Sequence, residues 1–228
     1  MDSPLQTILE YLGNLAQAGM TTKQLDESAE RMLRLHNCEP AFLGYQPKGH
    51  KEPFPSTLCV SINNEVIHGL PSDRKLEDGD VVKLDLGLKK NGQYDDGAIT
   101  VIIGKGSSVA RRLVKATKEA LDAGCKAAKA GNTTHDIAKA IKAIADREGF
   151  GIVEDYGGHG IGEELHMEPH IPNAPEGDPV KLEAGKRIAI EPMFASKKGR
   201  VFVEHNGWTV KLVGGGVAAH FERTVTVS

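Results

Sequence analysis

The sequence predicts an α+β domain, on three observations. Apolar residues recur at helical spacing near the start, the period then changes to that of strands around a tight Asn91-Gly92 turn, and a second strand-rich stretch follows two long helical patterns. A chain of 228 residues can bury one sizeable core, so a single domain over residues 1–228 is expected.

Leu5, Ile8, Leu9, Leu12, Leu15 and Ala16 share one face of a first helix. A second, around Leu25 to Leu35, follows Thr21 and Thr22, whose hydroxyls suit a helix start. Residues 42–55 hold three prolines and two glycines and read as an irregular loop. Strands are expected at 58–62, 80–88 and 94–103, the last two forming a hairpin across Asn91-Gly92 with Asp85 and Asp96 on opposite arms. Val109, Leu113, Ala116, Ala120, Gly124 and Ala127 mark a third helix. Ile137, Ala140, Ile141 and Ile144 mark a fourth, capped by Thr133 with Asp136 three residues on. After Gly149, strands are expected at 152–156, 187–190, 208–212 and 221–227.

Hydrophobic residues make up 39% of the chain and charged residues 26%, with a net charge of −3, which argues against disorder, a nucleic-acid footprint or a polybasic membrane patch. The first residues are acidic rather than basic and no apolar run is long enough to span a bilayer, so neither a secretory signal nor a membrane anchor is expected. Three cysteines without a paired motif suit a reducing compartment, and the cytoplasm is the expected location. The lack of a heptad pattern makes a monomer the simpler expectation.

Chemistry concentrates in four places. Asp85 and Asp96 interrupt otherwise apolar hairpin strands, although single acidic residues in hairpins commonly face water. His159 lies between glycines, where backbone crowding is low, and His166 follows seven residues later. Glu191, in IAIEPM, and Glu222, in HFERTVTV, sit among apolar strand residues, where a carboxylate needs a partner. Two aspartates, two glutamates and a histidine suit a pair of divalent ions, without which four crowded carboxylates repel one another. Bridging carboxylates and an acidified water would then favour hydrolysis. His220 shares a strand face with Glu222 if alternation is regular, and either orients that carboxylate or sits at a rim. His36, His50, His135, His170 and His205 are assigned no role.

Taken together, SINNEVIHG, LDLGLKKNGQYDDGA, GHGIGEELHMEP, IAIEPM and NGWTV followed by FERTV resemble the methionine aminopeptidase family, in that order and over nearly the whole chain. The resemblance implies a pseudo-twofold pita-bread fold, with an antiparallel sheet around the site and helices outside. It implies that Asp85 chelates one metal ion, Asp96 and Glu222 bridge two, and His159 with Glu191 complete the second, the ions being drawn from Mn, Fe, Co, Zn and Ni. A hydroxide held between them would attack the scissile carbonyl, with Glu191 moving the proton to the leaving amine. By the same resemblance His166 stabilises the carbonyl oxygen, His68 contacts the scissile amide, and Tyr45, Phe54, Cys59, Leu165 and Trp208 line a methionine pocket. The implied substrate is the initiator methionine of nascent polypeptides, a role compatible with ribosome association and needing no nucleic acid or membrane.

Two features depart from the family pattern: loop 46–53 is longer, and Leu165 stands where an aromatic residue is frequent. X-Pro peptidases share the fold and ligands but usually carry a large N-terminal domain, whereas 57 residues precede the first strand expected to bear on the site here. Binding modules of this fold have lost ligands, and here all five are present.

Overall fold

The computed structural model describes residues 3–228. Its helices are α1 (Pro4–Leu15), α2 (Thr22–Leu35), α3 (Ser108–Ala127) and α4 (Thr134–Glu148). The strands before α3 are β1 (Glu39–Pro40), β2 (Cys59–Ile62), β3 (Glu65–Ile67), β4 (Val81–Lys90) and β5 (Gln93–Ile102). Those after α4 are β6 (Gly151–Ile152), β7 (Gly157–Gly160), β8 (Met167–Pro172), β9 (Arg187–Ile190), β10 (Met193–Ala195), β11 (Val201–Val203), β12 (Val210–Leu212), β13 (Ala218–His220) and β14 (Glu222–Thr226).

The main sheet has eight strands in the order β1-β4-β5-β14-β9-β7-β8, with β2 also paired to β4. Two three-stranded sheets, β13-β10-β6 and β11-β12-β3, complete the α+β architecture, and every paired strand runs antiparallel. Local chemistry explains the helix boundaries. Pro4 stands in the first turn of α1, Thr21 and Gln24 form a capping box on α2, Thr133 and Asp136 form one on α4, and Gly149 ends α4 in the left-handed conformation.

The helices seal the sheet from outside. Leu5, Ile8, Leu9 and Leu12 of α1 join Leu25, Ala29 and Leu33 of α2 against Leu84 and Leu86 of β4. Each such leucine or isoleucine contributes about 1.5–3 kcal/mol of transfer free energy. On the other half, Leu113 and Ala120 of α3 and Ile137 and Ile141 of α4 cover Ile188 and Ile190 of β9. The opposite face carries Asp85 and Asp96 beside apolar residues such as Cys59 and Ala98.

Three expectations need correcting. Residues 153–156 carry no strand: the ladder with β10 covers Gly151 and Ile152 and ends at the Val153 N–H, which bonds to the Met193 carbonyl. Val109 does not face the core: it is 46% exposed, and Ala110 takes the inward position. The glycines around His159 mark crowding rather than space. A Cβ at Gly158 would lie 2.0 Å from the Ala189 carbonyl oxygen, and one at Gly160 would lie 2.1 Å from that of Glu168.

Candidate metal centre and substrate cleft

Strand register assembles the site. In the β4–β5 hairpin, Asp85 stands opposite Ala98 and Asp96 opposite Gly87, so both aspartates project from one face as diagonal neighbours. Glu222 of β14 pairs with Ala98 from the other side, which puts Asp85, Ala98 and Glu222 in a row across three strands. The small Ala98 between them leaves room for the carboxylates to converge. Glu191 follows directly on β9, the other neighbour of β14, and His159 enters from β7.

The convergence is tight. His159 Nε2 lies 3.9 Å from Asp96 Oδ2, 4.0 Å from Glu191 Oε1 and 3.9 Å from Glu222 Oε1. Its Nδ1 lies 2.9 Å from the Gly160 carbonyl oxygen, which places the ring proton on Nδ1 and turns the Nε2 lone pair toward the carboxylates. Ligand atoms of Asp85, Asp96 and Glu222 fall within 4.8 Å of one another, as do those of His159, Glu191 and Glu222.

Burial makes this arrangement costly without a cation. It pushes Asp85 up to about 7, and it drives Asp96 and Glu222 well above the carboxylate range, reinforced by their acidic neighbours. Glu191 alone moves down: burial opposes the shift, but contact with His220 and the nearby His159 and His166 outweigh it. Asp85 Oδ1 and Glu222 Oε1 are buried with no hydrogen-bond partner among the described residues. Orphaned hard oxygen atoms beside an oriented imidazole fit divalent cations.

Beside the carboxylates opens a cavity of about 740 Å³. Tyr45, Phe54, Cys59, His68, His166 and Trp208 reach it as expected, whereas Leu165 is buried in the cluster behind and is not part of the wall. Phe54 packs edge-on against Trp208 at 5.1 Å. His166 Nδ1 lies 2.6 Å from the Tyr45 hydroxyl, and its ring sits 4.4 Å from that of His159. Burial lowers both His68 and His166 to about 4, so both are neutral at pH 7.

His68 occupies the left-handed region, at φ 56°, and Gly69 follows because a Cβ there would lie 2.2 Å from the Val60 carbonyl oxygen. Two histidines assigned no role belong to the cleft after all. His50 lies over Trp208, with ring centroids 4.3 Å apart, and His170 also lines the wall. Phe42 and Tyr156 also line the cavity, and the only sequence signal for them is an aromatic residue close to a proline- or glycine-rich loop. His220 is buried rather than at a rim, and it faces Glu191 Oε2 at 3.6 Å rather than Glu222.

The fold and this cluster define a metal-dependent peptide hydrolase, and residues 5–228 match the family described as Metallopeptidase family M24, to which the chain belongs. Within it the chain stands among the methionine aminopeptidases. That of Aquifex aeolicus is 41% identical over 225 residues, covering 97% of this chain and 87% of the relative. Methionine aminopeptidase 1 of Bacillus subtilis is 37% identical over 220 residues, covering 96% and 86%. The crystal structure of the Thermotoga maritima methionine aminopeptidase superposes with a TM-score of 0.93 at 34% identity, over 99% of this chain and 89% of that one. The prolidase of Pyrococcus furiosus shares the pita-bread fold alone, with a TM-score of 0.75 at 21% identity over 99% of this chain and 58% of its own.

Proposed function

We propose that this chain removes the initiator methionine from nascent polypeptides, as one catalytic domain over residues 1–228. The observation that carries the reading is the meeting of four carboxylates and the His159 Nε2 lone pair at the edge of a cavity walled by Phe54, Cys59 and Trp208. The cavity offers an N-terminal side chain an apolar, aromatic surface, and a flexible thioether makes favourable contacts with aromatic rings.

Asp85 would hold one divalent ion, Asp96 and Glu222 would be shared by two, and His159 and Glu191 would complete the second, the ions being drawn from Mn, Fe, Co, Zn and Ni. When bound, such ions acidify water and polarise the scissile carbonyl. Glu191, held as a carboxylate with His220 beside it, takes up the proton of the attacking water and passes it to the leaving amine. With the Tyr45 hydroxyl donating to Nδ1, neutral His166 carries its proton on Nε2 and donates to the carbonyl oxygen as negative charge builds there. His68, in the cavity wall beside Tyr156 and Trp208, steadies the scissile amide.

On this reading the enzyme works as a cytoplasmic monomer on chains emerging from the ribosome. No helix among the described residues is long and apolar enough to cross a membrane. The test is release of methionine from Met-Gly-Met by metal-stripped protein resupplied with Mn²⁺, Co²⁺ or Fe²⁺, with His166→Ala alongside and an X-Pro peptide in parallel. Metal-dependent methionine release that falls sharply in the variant is expected. X-Pro cleavage in its place, or no cleavage with any metal, would overturn the reading.

A further inference from the structure

Lys83 is among the largest fully buried side chains of the protein, at 1% exposure, and it forms no ion pair among the described residues. Its Nζ donates instead to two backbone carbonyls, those of Asn63 at 3.0 Å and Val81 at 3.1 Å. Neither carbonyl depends on it. The Asn63 oxygen also accepts from the Ala218 N–H at 2.8 Å, and the Val81 oxygen accepts from the Asn63 N–H at 2.8 Å.

Burying an amine among neutral carbonyls costs desolvation that two extra hydrogen bonds recover only in part. What the side chain provides is geometry. Asn63 begins the turn between β2 and β3, with φ 55°. The short β3 strand ends at Ile67, and His68 follows directly, itself at φ 56°. Two non-glycine residues in the left-handed region, each costing on the order of 1 kcal/mol or more, persist only where their surroundings hold them. The Asn63 carbonyl is where β4, the β2–β3 turn and β13 are tied together.

We propose that Lys83 is a positioning residue for His68: through Nζ it adds a side-chain tie to the backbone bond between Asn63 and Val81, stiffening the β2–β3 turn on β4 and with it the short strand that delivers the imidazole to the cleft. The inference rests on the reading of His68 as the group at the scissile amide. Lys83 itself does not touch substrate.

The experiment compares wild type, Lys83→Met, His68→Ala and the double variant for kcat, KM and thermal melting with a methionyl peptide and saturating Mn²⁺. Lys83→Met keeps the length of the side chain and removes only the donor. Its melting temperature is expected to equal or exceed that of wild type, while kcat falls on the order of tenfold at nearly constant KM. The double variant should be no slower than His68→Ala alone, because both changes disable the same group. Wild-type kcat in Lys83→Met, or losses that multiply in the double variant, would overturn the proposal. If Lys83→Met does not fold, Lys83→Ala is assayed with added methylammonium, where recovery of rate supports the proposal and lack of recovery refutes it. Full activity in His68→Ala alone would instead bring down the underlying reading of His68, and this inference with it.

Discussion

Replacing Asp85 by asparagine should stabilise the metal-stripped protein at alkaline pH, and the size of the gain follows from the site. Burial raises this carboxyl from 3.8 to about 7 in the folded chain. A folded-state pKa above the unfolded one means that stability is fully present below about pH 4 and is lost as the pH rises to and through about 7. A difference of roughly three units corresponds to an order of 4 kcal/mol, or roughly 10 °C in melting temperature for a chain of this size. Asparagine keeps the shape of the side chain and cannot ionise. The assay is thermal melting of both proteins in chelator between pH 4 and pH 9. The two curves should converge near pH 4, diverge progressively up to about pH 7 and stay apart above it, with the variant the more stable. Added Mn²⁺ should then raise the melting temperature of wild type much more than that of the variant, since only wild type presents the full ligand set. Parallel melting curves across the pH range would refute the reasoning, for they would mean that Asp85 carries no burial penalty for a cation to relieve.

Loss of the His166 donor in His166→Ala should lower kcat by about 10²–10³ with little change in KM, read from steady-state hydrolysis of a methionyl peptide. Gly69→Ala should lower the melting temperature and cost about 1–3 kcal/mol or more, because the new methyl group meets the Val60 carbonyl at 2.2 Å; chemical denaturation measures it directly. Removing the ring that rests on Trp208, in His50→Ala, should relax discrimination between methionine and bulkier N-terminal side chains by up to about tenfold, seen as a ratio of kcat/KM values.

The long elements were legible because their signals are local. Helical periodicity and the Thr133–Asp136 capping box marked α4, and Asn91-Gly92 marked the β4–β5 hairpin. Short strands were not. The strands β7, β8, β10, β11 and β13 have three to six residues each, too few to show a period; β10 and β13 moreover pair across more than twenty residues, while β7–β8 and β11–β12 are close in sequence but joined by irregular loops. His220 shows the same limit inside the site. Regular alternation would have aimed it with Glu222, but the chain changes sheets at Phe221, whose N–H bonds to the Pro192 carbonyl. His220 therefore belongs to the strand beside β10 and reaches Glu191.

The residue types by themselves determined the chemistry available to this protein: hard oxygen ligands with one glycine-flanked imidazole call for divalent cations wherever in space they meet. Tertiary structure decided that they meet at all. Pairing of Asp85 and Glu222 with the same small residue, Ala98, brings together side chains more than a hundred positions apart. Which histidines enter the cleft was decided there too, His50 by a loop folding back onto Trp208 and His220 by a change of sheet. Both depend on contacts between distant segments, whose free energy is realised only when the whole sheet closes around the site.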